Sequence, residues 1–141
     1  MKKILIINSN YYKNISKNLV FNAIKTLNFA KKNISLIEVP GIFEIPIAIR
    51  KNIKKFDGFI ALGCVIKGET PHFNFICNST FDAILKISID YNKPIGNGII
   101  TALNKKQAIS RSEKFSLKKP NKGSEAAKAV IALLKNEPKK I

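Results

Sequence analysis

Short apolar runs alternate along the chain with stretches whose apolar residues recur every three or four positions. The segments "KKILIIN", "ISLIEV", "DGFIALGCVI" and "KPIGNGIIT" read as four strands, the third apolar throughout, as a strand covered on both faces must be. Between them lie helical periods. "ISKNLVFNAIKTLNFAKK" sets Leu19, Val20, Ile24 and Leu27 on one face, and "FEIPIAIRKNIKK" starts a helix with Pro46 in its first turn, where a missing N–H costs little. From His72 to about Tyr91 the positions Phe73, Ile76, Cys77, Phe81, Ile84 and Leu85 are again helical; "NKKQAISRSE" is a short helix and "KGSEAAKAVIALLKNE" a closing amphipathic one. Gly96 and Gly98 weaken the fourth strand.

Four strand–helix alternations predict a three-layer α/β/α sandwich around a four-stranded parallel sheet. With no linker, repeat or low-complexity block, residues 1–141 form one domain. Such sheets bind ligands outside the carboxyl ends of their strands. Three loops therefore belong to one rim: "NSNYY" (8–12), "PGIFE" (40–44) and "GCVIKGETPH" (63–72).

Composition narrows the function classes. An apolar fraction of 45% is enough to fill a core. The opening "MKKILIIN" has too short an apolar run for a secretory signal, which takes ~7–15 residues, and no stretch approaches the ~18 apolar residues of a membrane span. A cytoplasmic protein with no membrane partner is expected. Cys64 and Cys77 sit among apolar neighbours and read as buried, reduced thiols; one histidine and two cysteines do not make a zinc site, so no metal is expected. The net charge of +16 suggests nucleic acid at first sight. Yet only Arg50 and Arg111 are arginines among 25 basic residues, and the lysines are scattered, so a nucleic-acid partner is not expected.

The rim loops hold the residues that bear chemistry. In "GETPH", Thr70 is suited to cap a helix and Pro71 to its first position, placing His72 in the first turn. Free amides there favour an anion, and Gly68 lets the chain approach a ligand closely. His72 is the only histidine; it reads either as a solvated capping residue or as a proton acceptor or shuttle. Glu44 either favours its helix start or binds polar groups of a ligand. Tyr11 either packs on the surface or stacks on a flat heteroaromatic ring. Arg111 and Lys122 read as solvated unless an anion is brought to them.

Taken together, "VPGIFEIP", "DGFIALGCVIKGETPHF", "PIGNGIITALNKKQAISR" and "NKGSEAA" resemble the 6,7-dimethyl-8-ribityllumazine synthase family in order and spacing, across almost the whole chain. The resemblance implies a flavodoxin-like fold. It also implies condensation of 5-amino-6-(D-ribitylamino)uracil with 3,4-dihydroxy-2-butanone 4-phosphate, giving the lumazine, phosphate and water without metal or organic cofactor. By position it makes Tyr11 the aromatic that stacks on the pyrimidine. Ile42, Phe43 and Glu44 become the turn that holds the ribityl chain, and Cys64, Val65 and Ile66 the strand end whose backbone meets the pyrimidine. Glu69 and Thr70 fall in the phosphate cradle, and His72 is the proton donor. Asn97, Arg111 and Lys122 fall where a neighbouring subunit completes the pocket, Arg111 on phosphate.

The chain departs from the family pattern in places. Many members have Phe or Trp where Tyr11 stands, and Asn97 makes a polar contact where some carry Phe. The segment 112–121, "SEKFSLKKPN", is longer than in several relatives, which bears on where Lys122 lies. The family assembles as homopentamers, and in some members twelve pentamers close into an icosahedral shell. A longer loop before the last helix goes with the free pentamer, which is the expectation here. Two other classes fit the chain less well: a non-catalytic binder of flavin-like ligands, which would have lost His72 or Arg111, and a basic RNA-binding domain, which would need clustered arginines and aromatics on an open sheet face.

Overall fold

In a computed structural model, which describes residues 2–114 and 121–141, the sheet strands are β1 (Ile4–Ser9), β2 (Ile34–Val39), β3 (Gly58–Ile66) and β4 (Ile95–Ala102). The helices are α1 (Lys13–Leu27), α2 (Ile45–Lys51), α3 (His72–Tyr91), α4 (Lys105–Ser112) and α5 (Lys122–Lys135). All strand pairs are parallel in the order β2-β1-β3-β4. The expected three-layer α/β/α architecture is what the chain adopts.

The layers follow from the two-residue period of a strand. Ile4, Ile6, Ile60 and Leu62 pack with buried residues of α1, α4 and α5, whereas Leu5, Ile7, Phe59 and Ala61 pack with Ile45 and Ile49 of α2 and with Cys77 and Ile84 of α3. Fully burying each large side chain contributes roughly 1.5–3 kcal/mol, so the strand ends are held by rigid supports on both faces.

Several expectations are corrected. α1 stops at Leu27, where Asn28 takes a left-handed conformation (φ 51°) that few side chains other than Asn tolerate. Ile24, expected in the buried stripe, is exposed; Ile15, Leu19, Ala23 and Leu27 form the buried face instead. On α3, Leu85 is exposed while Thr80 is buried. Unlike β3, β2 is an edge strand only half covered, and its Leu36 is exposed. Gly96 is not a weak point of β4: a Cβ there would lie 2.2 Å from the Ala126 carbonyl oxygen, so the missing side chain lets α5 lie flat on the strand. Both cysteines are buried free thiols, as expected. Among the described residues no helix is long and apolar enough to cross a membrane.

Candidate active site

The three rim loops do converge. The first leaves β1 at Ser9, whose carbonyl accepts a hydrogen bond from Ser16 Oγ of α1 (2.5 Å). Asn10 then ties this loop to the end of β2: its backbone N–H donates to the Val39 carbonyl (3.1 Å) and its side-chain amide to Glu38 (2.5 Å). These bonds leave Tyr11 projecting, 73% exposed, with Tyr12 half-buried behind it.

The second loop makes a 3-10 turn at Ile42–Glu44 that drives Ile42 into the core and leaves Phe43 outside. The Glu44 N–H donates to the Gly41 carbonyl (3.3 Å), and the Glu44 carboxylate folds back over Gly41, where an added Cβ would lie 3.1 Å from its Oε1. Gly63 of β3 makes the convergence possible, since a Cβ there would stand 2.9 Å from both Ile42 Cγ2 and Ser9 Cβ. The third loop continues β3 past Ile66, with Lys67 N–H donating to the Ala102 carbonyl (2.8 Å), and runs exposed through Glu69 and Thr70 into α3. Gly68 stands in open space.

One cleft of about 350 Å³ results, walled mainly by apolar groups. It brings together Tyr11, Ile42, Phe43, Cys64, Val65, Ile66 and His72. Glu44, in the turn directly after Phe43, and Glu69 and Thr70, in the segment leading to His72, are not part of its lining. Ser9, Tyr12, Gly41 and Ile76 line it as well. Sequence reasoning passed over Tyr12, although the "YY" doublet on the first rim loop was its signal.

The start of α3 differs from expectation by one residue. Pro71 (φ −69°, ψ 0°) is the cap and His72 the first helical residue; no side chain caps the end, so Thr70 does not do so. The first internal bonds run from the Asn74 and Phe75 amides to the Pro71 carbonyl. The amides of His72 and Phe73 precede them and have no acceptor within the helix, at the end that favours negative charge. His72 is exposed to the cleft.

Burial pushes the Cys64 thiol up to about 11, so it is a neutral wall group near pH 7 and not a nucleophile. Burial, with Cys64 and Tyr11 adding to it, also raises Tyr12 above the ordinary phenol value. No cluster of His, Cys, Asp and Glu suited to a metal ion occurs among the described residues.

Asn97, Arg111 and Lys122 do not reach this cleft. Asn97 is exposed on the edge strand β4, its side-chain oxygen accepting from the Ile99 N–H (3.1 Å). Arg111 is exposed on α4, 3.5 Å from Gln107 Oε1. Lys122 opens α5 and pairs with Glu125 (3.3 Å). Of the long 112–121 segment, residues 115–120 lie outside the described residues. A larger hollow of about 440 Å³ between α1 and β2, lined by Asn8, Lys13 and Glu38 among others, holds none of the predicted residues and no imidazole. The chemistry therefore favours the smaller cleft.

Comparison with known proteins identifies the family of the chain. The sequence profile of the family described as 6,7-dimethyl-8-ribityllumazine synthase matches residues 1–137. The 6,7-dimethyl-8-ribityllumazine synthase of Bartonella henselae is 40% identical over 136 residues, covering 94% of this chain and 88% of that protein. The protein of the same name from Novosphingobium aromaticivorans is 39% identical over 136 residues, covering 95% of each.

Proposed function

The chain belongs to the 6,7-dimethyl-8-ribityllumazine synthase family, and on that footing we propose that the rim cleft is where its two substrates meet. The enzyme is a transferase of riboflavin biosynthesis. It condenses 5-amino-6-(D-ribitylamino)uracil with 3,4-dihydroxy-2-butanone 4-phosphate to give 6,7-dimethyl-8-ribityllumazine, phosphate and water. The observation that carries the placement is the meeting of three separate strand ends and the only histidine in one apolar-walled cleft.

In this reading Tyr11 lies over the flat pyrimidine, the end of β3 at Cys64, Val65 and Ile66 presents backbone groups to its edge, and Glu44 accepts from ribityl hydroxyls beside Ile42 and Phe43. The phosphate sits at the start of α3, against the His72 and Phe73 amides and the Glu69–Thr70 segment. Imine formation between amine and ketone moves protons on and off nitrogen and oxygen, which His72 performs. Expulsion of phosphate needs its growing charge held, which the helix amides and a guanidinium supply. Ring closure and loss of water then follow mainly from the two reactants being kept in register.

The guanidinium is assigned to Arg111 of a neighbouring copy, with Asn97 and Lys122 of that copy facing the ring. Two features support an oligomer, read here as a cytoplasmic homopentamer. These three side chains lie away from their own cleft, and α3 leaves Phe75, Leu85 and Ile89 each more than 60% exposed. Incubating the purified protein with both substrates while following lumazine absorbance and phosphate release tests the assignment. Equal amounts of lumazine and phosphate are expected, and a folded oligomer that releases neither overturns it.

A further inference from the structure

The opposite rim, where the strands enter the sheet, carries a different chemistry. Lys3 immediately precedes β1, Lys32 sits in a 3-10 turn (Lys31–Asn33) leading into β2, and Lys55 comes three residues before β3. β2, β1 and β3 are adjacent and parallel, with Ile34, Ile4 and Gly58 in register. Three lysines far apart in sequence are thus delivered to the same level of the sheet.

They line one hollow of about 430 Å³ together with Asn33, Ser35 and Phe56. No carboxylate lines it. Asp57, the acid nearest to Lys55 in sequence, accepts from the Lys3 backbone N–H (2.7 Å) and lines a neighbouring hollow instead. Neither Lys86–Asp90 nor Lys122–Glu125, ion pairs between described residues, involves Lys3, Lys32 or Lys55.

We propose that this hollow binds an oligophosphate group, either free or carried by a nucleotide. Three cations brought around one space repel each other until an anion enters, and lysines act on phosphate as point charges without the planar fork of arginine. Ser35 adds a hydroxyl donor. The hollow is larger than one phosphate requires and falls within the ~300–1,000 Å³ of ordinary ligand sites. Phe56, half-buried and set edge-on against Phe59 (centroids 6.1 Å apart, planes at 66°), is a fixed aromatic wall beside the lysines. A heterocycle attached to the phosphates has that wall to lie against. The site is at the far end of the sheet from the cleft, so it is separate from the substrate-phosphate seat and does not depend on the proposed reaction. It also gives a local use to part of the +16 charge that the condensation leaves unexplained.

The test is calorimetric titration of the full-length protein with ATP and, separately, with tripolyphosphate at fixed ionic strength. The double variant K32A/K55A is compared with the charge-matched K128A/K139A, whose lysines are exposed elsewhere. Saturable binding is expected, weakened at least tenfold in K32A/K55A and less than twofold in the control. ATP binding more tightly than tripolyphosphate identifies a nucleotide ligand, and equal affinities identify the phosphate chain alone. Absence of saturable binding, or equal weakening by both double variants, overturns the proposal. Lumazine formation by the same variants, expected at the level of the unaltered protein, is read separately.

Discussion

The ring of Tyr12 meets that of Tyr11 edge-on, with centroids 4.9 Å apart and planes inclined by 76°. Tyr11 is almost free in solvent, while Tyr12 packs on the core layer of α1, α4 and α5, and both line the cleft. An exposed ring has little else to fix its direction, so Tyr12 aims the ring assigned to stack on the pyrimidine.

Removing that support has a measurable cost. An edge-to-face pair contributes about 0.5–1.5 kcal/mol, so Tyr12→Ala is expected to raise KM for the pyrimidine substrate about two- to tenfold with kcat little changed. Tyr12→Phe keeps the edge and is expected to behave as the unaltered enzyme. Steady-state kinetics at saturating phosphate substrate checks this. An unchanged KM in Tyr12→Ala would show that Tyr11 is held by something else.

How much was legible in advance depends on the range of the physics involved. Element type follows from local periodicity, and all four strands and five helices fall where the apolar pattern puts them. Loop convergence was legible too, because parallel strands deliver their carboxyl ends to one rim. What the pattern does not encode is which neighbour covers each face. Ile24 and Leu85 have the right spacing for a buried stripe yet face outward, and Leu36 lies on an edge strand. Gly96 reads as a strand defect until the Ala126 carbonyl is found where its side chain would be. Tyr12 escaped because its role comes from contact with its neighbour and not from its own chemistry. The assignment of Asn97, Arg111 and Lys122 came from resemblance alone, since one chain does not carry the contacts of two.

Cys64 provides a pH-dependent probe of the cleft wall. With its thiol held at about 11 against an ordinary value near 9, the folded state keeps the proton more tightly than the unfolded chain does. The stability this contributes is complete below pH 9 and is lost as the pH climbs from about 9 to about 11. Alkylation of Cys64 by iodoacetamide, followed by peptide mass spectrometry, is expected to be slow at pH 8 in the native protein and to rise toward pH 11. In denaturant the rise should centre near pH 9. Native reactivity with the same midpoint as the denatured chain would mean that the thiol is not shielded.

The contact between α1 and α5 is tight at Gly123, where an added Cβ would lie 2.2 Å from the Leu19 carbonyl oxygen and 2.9 Å from Asn121 Oδ1. That same Asn121 oxygen caps α5 by accepting from the N–H groups of Gly123 (2.7 Å) and Ser124 (3.3 Å). Gly123→Ala therefore presses on a helix backbone and on the cap together. A cost of about 1–3 kcal/mol is expected, or roughly 3–10 °C in Tm. Gly68→Ala, with nothing within 4 Å of its new Cβ, is expected to leave Tm unchanged. Thermal unfolding of the two variants side by side decides the matter.

The strongest test of a shared site uses two damaged chains. His72 lines its own cleft, whereas Arg111 sits on α4 outside it with Gln107 for company. If the pocket is completed across the interface, His72→Ala is expected to lower kcat by up to about 10²-fold, the small end of what proton transfer contributes, because water reaches an exposed imidazole's place. Arg111→Ala is expected mainly to raise KM for the phosphate substrate. When the two variants are dissociated, mixed and reassembled, some interfaces pair an intact His72 with an intact Arg111. Those interfaces should regain native kinetics, so the mixture recovers activity that neither variant has alone, in proportion to the fraction of such pairs. If Arg111 acted within its own chain, or not at all on phosphate, mixing would give only the average of the two parents. Activity measured across a series of mixing ratios separates the two outcomes, since recovery across an interface peaks near equal proportions and averaging is linear.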